Sequence, residues 1–152
     1  MNIIEKGESN FISPAFLVKR KDTEGRVKSR VVIDFRQLNQ LIIRPHYAQT
    51  LVKDAIHQIG HLNAKFLSVF DVKQAYYSLN LDPNCKAYTG IQFTNDTNTY
   101  VHNKLPMGLH LSPLKFQQYM SKILEDIPNY KKKIFPLWMT YLLCQNQRRN
   151  IS

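Results

Sequence analysis

The 152 residues contain only two cysteines, Cys85 and Cys144, and they stand far apart. Neither belongs to a CxxC or Cys/His ligand spacing, so no structural zinc site is expected. The prediction is a reduced, intracellular chain, cytoplasmic rather than secreted. Long hydrophobic runs are missing too. The longest, Ile134 to Cys144, is too short to span a bilayer and contains Pro136, and no signal peptide opens the chain, so no membrane partner is expected. There is no internal repeat, low-complexity tract or linker, which leaves one core, as a domain or as a piece of a larger one. Acid is the last shortage: after Asp126 the chain has no Asp or Glu.

What is present is apolar and basic. A 43% hydrophobic content indicates a folded segment. The net charge of +10 favours a polyanionic partner such as nucleic acid. That charge is uneven. Residues 1–129 hold 16 Lys and Arg against 11 Asp and Glu, whereas residues 130–152 hold five against none, so half of the excess lies in the last stretch. His57 and His61 are four apart, but Gly60 lies between them and no third ligand is nearby, so they are read as ordinary surface residues.

In chain order, Met1 to Glu8 carries neither a capped helix nor a complete strand, and reads as the middle of something larger. Ser13-Pro14 introduces an apolar strand, Ala15 to Lys21, that turns basic at its far end. Asp22-Thr23-Glu24-Gly25 is a turn, and a second strand runs from Arg26 to Phe35. The resulting hairpin carries Lys19, Arg20, Lys21, Arg26, Lys28 and Arg30 near its tip. Such charges can simply discourage edge-to-edge pairing. They can also grip a polyphosphate, because two guanidinium groups bind phosphate oxygens bidentately.

After a loop around Pro45, Gln49 to Ile59 shows helical spacing, with Gly60 as its stop. Phe66 to Phe70 is an apolar run of strand length that delivers Asp71 into a turn. A buried strand ending in an acid can hold a metal; an Asp there can equally be an N-cap. Gln74 to Leu79 reads as one or two helical turns. Ala87 to Thr94 and Thr99 to Lys104 read as paired strands. Leu105-Pro106-Met107-Gly108-Leu109 is a tight turn, and Ser112-Pro113 starts a helix, with Ser as N-cap, that runs to Pro128. Strand, helix, strand pair and helix make most of a split βαβ palm lacking its final hairpin.

Four stretches, taken in order, carry a resemblance. They are Ser13-Pro14 with Leu17 to Asp22, Arg30 to Asn39, Phe70-Asp71-Val72-Lys73-Gln74-Ala75-Tyr76, and Leu105 to Leu109 with Ser112-Pro113 and Phe116. Together they resemble the reverse transcriptase domain of retroviral and LTR-retrotransposon Pol polyproteins, nearest the gypsy class, over about Ile3 to Pro128. The resemblance implies an α+β right-hand polymerase. Partial fingers would occupy residues 1–48 and a ferredoxin-like palm with more of the fingers 49–129, with no thumb. It implies template-directed nucleotidyl transfer by two Mg²⁺ about 3.5 to 4 Å apart, acting on deoxynucleoside triphosphates and an RNA or DNA template-primer. Asp71 corresponds to the first of three metal-holding aspartates. Arg20 and Arg30 match residues that face the triphosphate; Val72, Tyr76, Met107 and Gly108 match the nucleotide pocket, with Tyr76 under the sugar. Gln74 stands where some relatives have an acid. Arg36 lies where template contact is expected, with a surface ion pair as the alternative.

The pattern breaks after Pro128. The family's aromatic-X-Asp-Asp hairpin is replaced by Ile134 to Tyr141, which holds no acid. Trp is TGG, Met is ATG and Thr begins AC, so Trp138-Met139-Thr140 necessarily spells GAT-GAC, or Asp-Asp, in the neighbouring frame. Lys131-Lys132-Lys133 marks an A-rich run where a one-base slip is easy. Residues 130–152 are therefore read as an out-of-frame tail, and the chain as lacking polymerase activity. Without its final hairpin the palm sheet is expected to show a bare edge. The alternatives are a non-catalytic nucleic-acid-binding fragment or an unselected pseudogene product.

Overall fold

The computed structural model describes residues 2–43, 45, 52–62, 64–93, 96–137 and 140–145. The chain divides into two units, Met1–Arg44 with Tyr76–Ser112, and Pro45–Ala75 with Pro113–Ser152.

In the first unit the basic hairpin forms as expected. Strands β2 (Ile12–Lys21) and β3 (Val27–Ile33) pair antiparallel from Ala15↔Ile33 to Lys21↔Val27. The Asp22 carboxylate accepts the backbone N–H groups of Glu24 and Arg26, and Gly25 takes φ +77°, where a glycine carries no Cβ penalty. Only the start of β2 lies within a wider sheet: Ile12–Pro14 run parallel to β5 (Gly90–Gln92). Beyond Pro14, among the described residues, the two strands pair only with each other, and Phe16, Leu17 and Val31 are about half exposed. Strand β5 pairs with β6 (Thr99–His102), and β6 with β1 (Ile4–Lys6), giving the order β1-β6-β5-β2-β3.

Strand β1 corrects the expectation that Met1 to Glu8 carries no complete strand: Ile4 to Lys6 find their ladder on β6, a partner about a hundred residues away that local pattern does not show. The Lys86 ammonium adds a tie to this edge by donating to Glu5 Oε1 at 2.8 Å. Helix α1 (Arg36–Leu41) packs Leu38 with Phe35 and Leu109 into a buried cluster.

In the second unit helix α2 (Val52–His61) passes through Gly60 instead of stopping there. Gly60 has no positive φ, so it costs the helix some propensity without ending it. The expected start of this helix, residues 49–51, lies outside the described residues. His57 and His61 consequently sit one turn apart, their rings edge to face at 4.6 Å. Strand β4 (Phe66–Asp71) forms, but it is not buried. Leu67 is 56% and Val69 66% exposed, because β4 is an outer strand of a three-stranded sheet ordered β4, then β8 (Thr140–Gln145), then β7 (Ile134–Leu137).

That order also corrects the expectation of a missing final hairpin. Strands β7 (Ile134–Leu137) and β8 (Thr140–Gln145) pair with each other, and β8 pairs with β4 from Asp71↔Thr140 to Phe66↔Gln145. A backbone ladder asks only for extended, apolar or aromatic sequence, which this stretch supplies without any Asp. Pro136 is tolerated because β7 is an edge strand and needs no donor on its outer side. Phe135 is buried against Ala55, Ile59 and Ala64, fixing the hairpin to α2.

Between Asp71 and β5 the chain makes a single 3-10 turn at Ala75–Ser78, then the short helix α3 (Pro83–Lys86). Ala87 belongs to the turn leaving α3 and not to a strand, while residues 94 and 95 lie outside the described residues. Helix α4 (Ser112–Leu124) begins at the expected Ser-Pro. The Ser112 hydroxyl, however, donates to the Pro106 carbonyl at 2.7 Å, so it ties down the preceding turn. After Asn129, helix α5 (Tyr130–Lys133) leads into β7.

Candidate nucleotide and metal sites

The β2–β3 register decides which cations of the hairpin act together. Val18 faces Arg30 and Arg20 faces Lys28, so Val18, Arg20, Lys28, Arg30 and Val32 share one face of the ribbon. Arg20 and Arg30 are diagonal neighbours, about 7–8 Å apart at the backbone. With Lys21 and Asp22 these residues line a cavity of about 400 Å³.

The six cations do not all remain available. Asp22 draws Lys28 to 3.3 Å and Arg26 to 3.5 Å, and Arg26 also pairs with Glu24. The Asp22 carboxyl lies below its usual range, chiefly through the Arg26 N–H and then through Lys28. Among the described residues no ion pair involves Arg20, Lys21 or Arg30. The acids at the tip thus neutralise the outer cations, and the two arginines named from the sequence keep their guanidinium groups free on a single concave face. Two forked donors at this spacing can take oxygens of successive phosphates.

A second element of the same unit is the turn after Leu105. Gly108 takes φ +96°, and an added Cβ would meet the Phe35 ring at 3.5 Å. The buried Leu109 joins Phe35 and Leu38. Asn39 closes the turn from α1: its amide donates to the Gly108 carbonyl and its oxygen accepts the His110 N–H, both at 2.8 Å. Asn39 ends the stretch Arg30 to Asn39 with no role of its own legible there, because a partner about 70 residues away leaves no local signal. Met107 emerges from this turn 46% exposed. Tyr76 is buried in the same unit, and burial raises its phenol pKa.

Arg36 forms a surface ion pair. Its guanidinium forks onto Asp34, with Nη2 to Oδ2 at 2.6 Å and Nε to Oδ1 at 2.9 Å, and this contact lowers the Asp34 pKa to about 2. Its side chain remains almost wholly in solvent.

Asp71 belongs to the second unit. It ends β4 exposed to solvent, and it caps no helix, since the next helical turn begins four residues later at Ala75. The register places Thr140 directly opposite, with the Thr140 hydroxyl 3.5 Å from Asp71 Oδ1, a long contact. Val72 follows half-buried, and Gln74 adopts the left-handed φ of +53°, uncommon outside glycine. Among the described residues no three His, Cys, Asp or Glu side chains gather where they could hold a metal. One carboxylate and one hydroxyl do not fit a pair of divalent ions, which need several hard oxygen ligands.

Comparison with known proteins gives the family and the fold. Residues 18–144 match the family model for reverse transcriptase (RNA-dependent DNA polymerase). The chain is 34% identical over 116 residues to an enzymatic polyprotein of Cassava vein mosaic virus, covering 76% of this chain and 17% of that protein. It is 30% identical over 121 residues to the retrovirus-related Pol polyprotein from transposon 412 of Drosophila melanogaster, covering 78% of this chain and 10% of that one. The chain therefore spans less than a fifth of either relative. In fold it is similar to the protease-reverse transcriptase of prototype foamy virus, with a TM-score of 0.77 at 19% identity over 96% of this chain and 18% of that one. A foamy viral protease-reverse transcriptase solved with double-stranded DNA gives 0.69 at 20% identity, over 95% of this chain and 23% of that one. The α+β architecture is that of polymerase fingers with part of a palm, and the chain belongs to the reverse transcriptase family.

Proposed function

We propose that the chain is the nucleotide-gripping front of a retroelement RNA-directed DNA polymerase of the gypsy class, able to hold a polyphosphate and unable to polymerise. The observation that carries this reading is the placement of Arg20 and Arg30, free of ion pairs, on one face of a cavity of about 400 Å³. The chemical partner is the triphosphate of a deoxynucleotide. By the family resemblance Tyr76, Met107 and Gly108 are assigned to its sugar and base, Val72 to the nucleotide as well, and Arg36 to the template strand. A nucleic-acid partner is supported by the foamy viral relative solved with double-stranded DNA.

Reverse transcriptases generally use a divalent metal. Mg²⁺ would take Asp71 as one ligand, but the chemistry of in-line displacement stops here for want of carboxylates. In a primer-extension assay with Mg²⁺, the 152-residue chain is expected to add no nucleotide above a protein-free control; magnesium-dependent synthesis would refute the reading.

Residues 130–152 are read as out of frame. Support comes from Thr140, the last residue of Trp138-Met139-Thr140, which pairs with Asp71 across the β4–β8 ladder. The Asp-Asp hidden in the neighbouring frame thus belongs to the stretch that meets the first aspartate. Sequencing the gene tests this. Polymerase-like sequence should continue in the alternative frame downstream of the Pro128 codon, and immediate stop codons there would end the idea.

A further inference from the structure

We infer that Asn39 is a positioning residue for the nucleotide pocket, acting through the Gly108–His110 backbone; this rests on the reading of Met107 and Gly108 given above. Asn39 is buried on α1, and its helix is anchored by Phe35 and Leu38 in the cluster that also takes Leu109. The turn is held by side chains at three points. The Ser112 hydroxyl binds the Pro106 carbonyl, the Asn39 amide binds the Gly108 carbonyl, and the Asn39 oxygen receives the His110 N–H. Met107 lies between the first two, so its backbone is bracketed by restrained carbonyls while its side chain is left half exposed.

A carboxamide suits this task better than its neighbours in size. Asp offers acceptors only, Ser has a single short group, and Gln carries an extra methylene that shifts both atoms. Gly108 at φ +96° is a conformation from which a released turn would readily relax. Asn39 therefore fixes the base from which the Met107 thioether meets a ligand. It has no direct part in holding phosphate, which the hairpin does.

The test titrates the whole chain, in EDTA and at low salt, with a deoxynucleoside triphosphate and separately with inorganic tripolyphosphate, and follows amide hydrogen exchange at His110. The intact chain should bind the nucleotide more tightly than tripolyphosphate. Asn39→Ala should lose that preference, binding the nucleotide about tenfold more weakly, while its tripolyphosphate affinity holds. Exchange at His110 should quicken in Asn39→Ala and remain slow in Asn39→Asp, which keeps the acceptor. If Asn39→Ala does not fold, Asn39→Asp carries the test through loss of the Gly108 contact and of nucleotide preference. A preserved preference, or unchanged His110 exchange in Asn39→Ala, would overturn the inference while leaving the hairpin reading intact. Equal binding of both ligands by the intact chain would also overturn it. Failure of the intact chain to bind either ligand would overturn the hairpin reading, and the inference with it.

Discussion

His102 shows how one side chain on β6 couples the first unit to pH. It is almost completely buried, its Nδ1 lies 3.0 Å from the Thr89 carbonyl, and its ring meets Phe35 edge on. Burial depresses its pKa below the ordinary 6.5, with the Thr89 contact opposing in part. The unfolded chain therefore takes up the proton first on acidification. The stabilisation is fully present above about pH 6.5 and is lost as the pH falls below it. Urea midpoints measured at pH 7.5 and 5.0 should show the decline, and His102→Phe should flatten it. An equal decline in His102→Phe would assign the effect elsewhere. Residues that speak locally were legible in the sequence: Asp22 and Gly25 announce their turn, and Ser112-Pro113 its helix. Asn39 and His102 were not, because their partners, Gly108, His110 and Thr89, lie many positions away and identity alone does not show what a buried amide or imidazole will meet.

Among the elements, the basic hairpin was legible because strand alternation, a Gly-bearing turn and charge at the tip all agree. Three others were legible only in part or not at all. Helix α3 was announced by Asp82-Pro83, an N-cap followed by Pro at the first position, with the Asp82 carboxylate accepting the Asn84 N–H. One helical turn shows no periodicity to back that signal. Gly60 read as a stop because glycine ends helices only where φ turns positive, and φ is not written in the sequence. The β7–β8 hairpin carries no acids, yet acids are needed for metal and not for pairing. If the hairpin belongs to the core, Phe135→Ala should lower stability by about 3–5 kcal/mol through the void it leaves against Ala55 and Ile59. A loss under about 0.5 kcal/mol in urea denaturation, the range of an exposed substitution, would mean that residues 130–145 do not dock there.

For the whole molecule, the physics separates binding from chemistry. Phosphate gripping needs cations on a rigid ribbon, and the first unit supplies Arg20 and Arg30 free of the tip's acids. Nucleotidyl transfer needs clustered carboxylates, and the second unit offers Asp71 opposite Thr140. The net charge of +10 helps any polyanion approach, but half of it lies after residue 129 and carries no specificity. Family and architecture could be read from four motifs in order, since each combines a turn or strand signal with a chemical residue. What the sequence left open was which of six basic side chains would stay unpaired, a matter of register.

The most direct measurement is equilibrium binding of a deoxynucleoside triphosphate to the intact chain, with Mg²⁺ and in EDTA, repeated for Arg20→Ala, Arg30→Ala and Asp71→Asn. The account predicts binding no tighter with Mg²⁺ than without it, weakened about tenfold or more by either arginine substitution and unmoved by Asp71→Asn. Binding that requires Mg²⁺ and disappears in Asp71→Asn, with both arginines dispensable, would contradict it.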